Sequence, residues 1–159
     1  MHTDGAWRRL STRRNGLLIA HENALNERTS LQDLRQFLFD HVCTYDELEV
    51  LLLLQRRPEL DWTVKTAAES RGLSTDACRQ ALEALAARGL LAIRGSGTFR
   101  YAPASKELAA STRELQRVYL DDRFAIIQLM TTNAMDRVRA AALGRLGDAL
   151  QLRDAKKPR

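Results

Sequence analysis

The spacing of apolar residues predicts one helix that begins near residue 30 and a second helix around the most hydrophobic run of the chain. Apolar side chains follow at helical intervals after Thr29 or Ser30, either of which can cap a helix N-terminus. A second helix is predicted to start near Thr44, which has capping-box spacing with Glu47. Within it Val50–Leu54 is apolar on every side, so we expect this helix at the centre of the core.

The segment Trp62–Tyr101 changes pattern several times within a short distance. A short helix opens it, and Gly72–Ser74 predicts a tight turn into a second helix over Thr75–Arg88. Alternating positions then predict two strands, Leu90–Ile93 and Thr98–Tyr101, joined by a glycine-rich turn. Helix, turn, helix and hairpin in this order form the layout of a winged helix-turn-helix domain.

A long apolar stripe at helical spacing follows Pro103, and Thr131–Asn133 is the break it predicts. The domain before it is already complete, so this stripe has no remaining core to cover and we expect it to meet the same stripe on a second copy. The predicted dimerisation residues are Leu108, Leu115, Val118, Tyr119, Ile126 and Leu129. The expected fold class is therefore mainly α, a winged helix-turn-helix domain with long C-terminal dimerisation helices.

The net charge of +5 is unevenly distributed over four predicted regions. These regions are a flexible basic arm over 1–28, a winged helix domain over 29–103, a helical dimerisation region over 104–152 and a basic tail over 153–159. The basic excess lies in the arm and the tail, whereas the body is nearly neutral. Within the body, residues 30–61 have three basic against seven acidic residues, and residues 62–102 have six against three. The sequence thus predicts a positive surface on segment 62–102 and a negative surface on segment 30–61, and the positive surface suits a polyanionic partner.

Composition narrows the class of protein further. Aromatic residues are 6%, and the chain has 8 glycines and 3 prolines, too few for a turn-rich all-β fold. The longest apolar runs are far shorter than a bilayer span, so no membrane partner is expected. Two cysteines, Cys43 and Cys78, form no disulfide framework, which favours a reducing cytoplasm.

Catalytic and metal-binding patterns are not found in the sequence. It has no phosphate-binding loop, no nucleophile elbow and no zinc-protease motif, so we expect no enzyme activity and no cofactor. Cys78 falls on an inner helix position, where it is expected to be a small core residue. His41 and Cys43 lack a further ligand nearby in sequence, so no metal site is predicted.

Two stretches carry a resemblance to known proteins. The segments VKTAAESRGLS (Val64–Ser74) and ALEALAARGLL (Ala81–Leu91) resemble the winged-helix domains of bacterial transcription regulators of the multiple-antibiotic-resistance and arsenic-repressor types. The resemblance covers about forty residues and implies the fold rather than one family. It implies a homodimeric regulator whose second helix enters the major groove of duplex DNA while the hairpin contacts the backbone.

By position, the resemblance implies a set of DNA-binding residues: Lys65, Arg71, Ser74, Thr75, Arg79, Gln80, Arg94 and Arg100. Arg79 can bond guanine in bidentate fashion and Gln80 can bond adenine. Two acidic residues, Asp76 and Glu83, leave the predicted recognition helix neutral, and the hairpin turn carries no basic residue. The alternative is therefore a winged helix that contacts a protein, such as a polymerase subunit or a sigma-factor partner, without binding DNA.

Overall fold

The structure is a computed structural model that describes residues 30–95 and 97–155, with side chains up to residue 145. The contacts divide the chain into two compact units, Met1–Leu34 and Arg35–Arg159. Of the first unit, residues 30–34 are described, and they are helical. The basic arm predicted over 1–28 and the tail over 153–159 lie largely outside the described residues.

The described chain is mainly helical, with one small antiparallel sheet. Its elements in chain order are α1 (30–41), α2 (Tyr45–Arg56), α3 (Val64–Arg71), α4 (Thr75–Ala87), β1 (Leu91–Arg94), β2 (Thr98–Tyr101), α5 (Lys106–Asp121) and α6 (Arg123–Ala155). Within the described residues, no helix is long and apolar enough to cross a membrane.

Helix α2 forms the centre of the core, as its apolar run predicts. Val50, Leu51, Leu52 and Leu54 are all buried, and α3, α4 and β2 pack around this helix. A helix that is apolar on all sides is stable in water only when neighbours cover more than one face, and this arrangement provides them.

The helix starts are fixed by hydroxyl side chains at the predicted places. Thr44, Thr63, Ser74 and Ser105 each accept a hydrogen bond from a backbone N–H in the first turn of α2, α3, α4 and α5, respectively. The expected capping box at α2 is incomplete, because the Glu47 carboxylate accepts from the Cys43 N–H at 2.6 Å instead.

The hairpin has the predicted strand β2, whereas β1 is shifted by one residue at both ends, from the predicted Leu90–Ile93 to Leu91–Arg94. Leu91 pairs with Tyr101 and Arg94 with Thr98. The sequence did not predict a further contact to this sheet. Trp62 exchanges two backbone hydrogen bonds of 2.8 Å with Phe99, which adds a one-residue bridge to the edge of β2. This bridge ties the segment before α3 to the hairpin.

The predicted break at Thr131–Asn133 is wrong, and the chain turns instead at Asp122. The N–H of Asp122 ends α5 by donating to the Val118 carbonyl at 2.7 Å, and its carboxylate accepts from the Ala125 N–H at 3.0 Å. Aspartate is a strong N-cap, so one residue both ends α5 and starts α6. Thr131 is helical, and its hydroxyl donates to the Ile127 carbonyl at 2.9 Å.

Helix α6 is held against α1 by polar side chains that are buried or half-buried. Asn133 donates to the Arg35 carbonyl at 2.9 Å and accepts from the Arg35 guanidinium, which also pairs with Asp136 at 2.6 Å. The Arg137 guanidinium donates to the Phe39 carbonyl at the end of α1 and lies over the ring of the same residue. These contacts satisfy carbonyls that the end of α1 would otherwise leave open.

Candidate nucleic-acid interface

Helix α4 presents a continuous polar face to solvent, as its periodicity predicts. Its inner positions are all buried: Cys78, Ala81, Leu82 and Leu85. On the opposite side, the exposed residues are Thr75, Asp76, Arg79, Gln80 and Glu83. Ser74 precedes them as the helix cap and accepts from the Ala77 N–H at 3.2 Å. A ligand that approaches this face would meet one guanidinium, one amide and two carboxylates.

The hairpin places Arg94 and Arg100 on one face. Arg94 pairs with Thr98 and Ala92 with Arg100, so these positions share one side of the two-stranded sheet. Arg94 is exposed, whereas Arg100 makes two hydrogen bonds of 2.7 Å to the Asp61 carboxylate. This pairing lowers the pKa of the Asp61 carboxyl, and the positive charge of Arg94 lowers it further.

The two basic residues predicted on α3 differ in their surroundings. Lys65 is fully accessible, with its ammonium 4.0 Å from the Glu69 carboxylate. Arg71 instead lies between α3 and α2, where it pairs with Glu49 at 3.1 Å and its side chain is only 20% exposed. A partly buried ion pair of this kind is held by its carboxylate, so Arg71 has little freedom to follow a phosphate backbone.

The expected positive and negative surfaces partly neutralise each other. Acidic residues of segment 30–61 pair with basic residues of segment 62–102 in three places: Glu47 with Arg88 at 2.7 Å, Glu49 with Arg71 at 3.1 Å, and Asp61 with Arg100 at 2.7 Å. The charge left on the outer surface of the second segment is therefore concentrated on Lys65, Arg79 and Arg94. The uneven charge of the sequence largely reflects pairing inside the domain.

Two residues of α2 position α4 in a way that the sequence analysis missed. Glu47 is only 5% exposed and binds Arg88, the residue that ends α4. Glu49 binds Arg71, the last residue of α3 before the turn into α4. The signal was present as Glu47 and Glu49 next to the apolar run Val50–Leu54, because carboxylates that are buried beside such a run need a basic partner.

The predicted dimerisation stripe is mostly covered by the chain's own residues. Leu115 and Ile126 have no exposed surface, and Val118 is buried as well. Leu108 and Leu129 are half-buried, and Tyr119 donates its hydroxyl to Glu49 at 2.5 Å. The expectation that this stripe has no partner within the chain is wrong, because the turn at Asp122 folds α5 and α6 together.

A different part of α6 leaves apolar residues open. Met135, Val138 and Leu143 are 57%, 70% and 69% exposed, and residues 139–145 are all exposed. Thr131, Ala134, Met135, Val138 and Arg139 line an open, largely apolar groove of about 390 Å³. Thr131, Met135, Val138 and Ala142 follow each other at alternating spacings of four and three, the heptad pattern of helix pairing.

The cysteines and His41 show no reactive or metal-binding arrangement among the described residues. Cys78 is completely buried, and this burial raises the pKa of its thiol. The His41 ring lies 5.4 Å from that of Phe37. No cluster of three or more metal-ligating side chains occurs in the part of the chain that the structure describes.

Comparison with known proteins adds no assignment: no protein-family model, no curated protein and no solved structure matches this chain.

Proposed function

We propose that residues 44–101 form a winged helix domain that binds duplex DNA, and that the protein is a cytoplasmic transcription regulator of bacterial type. The observation that carries the proposal is the exposed polar face of α4, with Arg79 and Gln80 at its centre, on a domain whose hairpin holds Arg94 and Arg100 on one side. The helix, turn, helix and hairpin order supports the same reading.

The side chains on α4 have the chemistry that base recognition requires. A guanidinium can bond O6 and N7 of guanine together, and a glutamine amide can bond N6 and N7 of adenine. Asp76 and Glu83 can accept from the amino group of cytosine, whereas near a phosphate they would repel it. This face is therefore suited to a few base contacts and weak in backbone contacts, which Lys65 and Arg94 would have to provide.

The protein is proposed to act as a homodimer, because one such face offers few phosphate contacts. Two copies related by a twofold axis double those contacts and read two half-sites. The exposed groove side of α6, centred on Met135 and Val138, replaces the buried stripe as the proposed dimer interface. Its heptad spacing supports pairing with an identical helix.

Alanine variants test the DNA proposal directly. Arg79→Ala should weaken binding to a selected duplex by about 1–3 kcal/mol and relax the preference at one base position. Arg94→Ala should weaken all duplexes alike and reduce the salt slope by about two, because a dimer loses one phosphate contact in each copy. Arg117→Ala on α5 removes the same charge from a helix outside the domain and is the matched control, expected to change neither. The proposal fails if both Arg79→Ala and Arg94→Ala bind like the unaltered protein.

A second candidate function is contact with another protein, and one observation favours it. Ile93 is 61% exposed and pairs with Phe99, so it is an apolar side chain on the side of the hairpin opposite Arg94 and Arg100. Ile93→Asp would abolish a protein contact of this kind. The same substitution would leave the sequence preference on DNA unchanged if α4 reads bases, so a comparison of both readouts separates the two functions.

A further inference from the structure

The Glu49 carboxylate joins three parts of the molecule. It accepts a hydrogen bond of 2.5 Å from the Tyr119 hydroxyl on α5 and pairs with Arg71 of α3 at 3.1 Å. Arg123, the first residue of α6, lies 3.6 Å away. The side chain of Glu49 is only 16% exposed, so these contacts are formed largely away from solvent.

The aromatic rings around Arg123 strengthen this cluster. Its guanidinium lies 5.4 Å from the ring centre of Tyr119 and 5.7 Å from that of Tyr45, and it also donates to the Tyr45 hydroxyl. Cation–π contacts of this kind help to hold Arg123 in place although its side chain is 57% exposed. The beginning of α6 is thereby fixed to the beginning of α2 and to Glu49.

The contacts of Glu49 bear on α4 because Arg71, one of its partners, lies directly before the turn that leads into α4. Arg71 is the last residue of α3, and Gly72 follows in the left-handed conformation with φ of 67°. The N–H groups of Gly72 and Leu73 both donate to the Ala68 carbonyl and close the turn. Whatever holds Arg71 therefore holds the turn that sets the direction of α4.

The other end of α4 is held differently. Arg88 ends α4 and pairs with Glu47, which accepts in turn from the Cys43 N–H, so this end is fixed to α2 and to the segment before it. Glu47 and Glu49 lie on the same helix, yet the contacts with Tyr119 and Arg123 are made by Glu49. The end of α4 that Glu47 holds can therefore serve as an internal control for the end that Glu49 holds through Arg71.

We infer that Glu49 is a positioning residue that couples the α5–α6 junction to the turn between α3 and α4. When α5 and α6 are seated, Tyr119 and Arg123 hold the carboxylate in the place where it binds Arg71. A movement of these helices removes that support, loosens the turn between α3 and α4 and changes the orientation of α4 relative to a bound ligand. The part of this inference that concerns binding rests on the proposed function.

A conservative variant tests the coupling without unfolding the protein. Tyr119→Phe removes the hydroxyl that donates to Glu49 and keeps the ring beneath Arg123. The matched control is Tyr101→Phe, because Tyr101 also shares a hydrogen bond with α5, through Thr112, but does not contact Glu49. Glu49→Gln is the stronger variant, since it keeps the size of the side chain and removes its charge.

Native-state hydrogen exchange of the full chain is the structural readout. Tyr119→Phe should accelerate exchange of the Gly72 and Leu73 amides by roughly tenfold, the effect of losing one hydrogen bond to a charged group. The Gly89 and Leu90 amides at the other end of α4 should keep their rates, and Tyr101→Phe should leave both sets unchanged. Equal acceleration at both ends of α4, or an equal effect of Tyr101→Phe, would overturn the inference.

Affinity for a selected duplex is the second readout, and it separates the two proposals. We expect Tyr119→Phe to weaken binding several-fold, whereas Tyr101→Phe should not. If Arg79→Ala weakens binding while Tyr119→Phe does not, Glu49 does not position α4 for DNA, and the proposed function stands. If the turn loosens but no variant affects DNA affinity, the proposed function fails, and the coupling of Glu49 to the turn stands.

Discussion

At the scale of single residues, three of the five arginines in segment 62–102 hold the fold together. Arg71, Arg88 and Arg100 are each bound by a carboxylate that precedes them in sequence. Charge counted along a sequence therefore overestimates the charge that a partner meets. Arg79 and Arg94 remain the residues on which the proposed contact depends.

The pair between Asp61 and Arg100 predicts a gain in DNA affinity on mutation. Asp61→Asn should strengthen binding and steepen the salt slope of the dimer by about two, because Arg100 of each copy is no longer neutralised and can contact one phosphate. Glu114→Gln on α5 removes a similar charge away from the hairpin and is the control. Titration of labelled duplex at several salt concentrations measures both, and an unchanged slope for Asp61→Asn would contradict this role of Arg100.

The same pair also predicts a contribution to stability that depends on pH. Its hydrogen bonds lower the pKa of Asp61 below the value of 3.8 that applies in the unfolded chain. The stabilisation is therefore present above this value and is lost as the pH falls through the folded pKa. Denaturant unfolding of the native protein and of Asp61→Asn should converge in acid and differ at neutral pH. Parallel curves at every pH would show that the pair contributes nothing.

The two cysteines should differ sharply in reactivity. Cys43 is half-exposed, whereas Cys78 is buried in the core and its thiol has a raised pKa. In the folded protein, iodoacetamide should modify Cys43 and spare Cys78, and both should react after unfolding in guanidinium. Mass spectrometry of the modified peptides measures this. Equal rates in the folded state would contradict the core position of Cys78.

At the scale of elements, local signals predicted where helices start better than where they pack. The caps at Thr44, Ser74 and Ser105, the hairpin strand Thr98–Tyr101 and the buried face of α4 could all be predicted, because each depends on residues close in sequence. The break at Asp122 could not, since threonine and asparagine at 131–133 carry stronger local signals for a break. Tertiary contacts of Asn133 with Arg35 keep that stretch helical.

Two neighbouring aspartates test the assignment of the turn between α5 and α6. Asp122→Ala should lower the free energy of unfolding by about 1 kcal/mol, because it removes the carboxylate that accepts from the first turn of α6. Asp121→Ala removes an exposed partner of Arg117 and should cost no more than about 0.5 kcal/mol. Urea denaturation of both variants is the measurement, and an equal cost for the two would contradict this turn.

At the scale of the whole molecule, the surface that we propose for a second copy differs from the one that the sequence suggests. The apolar stripe from Leu115 to Ile126 packs within the chain. Periodicity alone cannot distinguish a stripe that packs internally from one that packs on a partner. Among the described residues, the open side of α6 beyond Thr131 leaves apolar side chains exposed at heptad spacing. The exposure of the polar residues on α4 could be predicted by position, whereas the carboxylates that pair with Arg71, Arg88 and Arg100 could not.

A charge placed on the open side of α6 should separate the dimer. Val138→Glu should shift sedimentation from a dimer to a monomer of 18.0 kDa, since a buried carboxylate at a helix pair is strongly unfavourable. Ala140→Glu introduces the same charge at an exposed position on another side of α6 and should remain dimeric. A monomer for the unaltered protein, or a dimer for Val138→Glu, would contradict this interface.

The central claim is that α4 and the hairpin bind duplex DNA, and selection from random duplexes followed by titration across salt concentrations tests it most directly. We predict enrichment of a defined sequence and a linear fall of log affinity with log salt, with a slope of about −0.9 for each phosphate contacted. A dimer that uses Lys65 and Arg94 in each copy would make four such contacts and give a slope of about −3.6 on this scale. A pool that shows no enrichment, with an affinity that does not depend on salt, would contradict the claim.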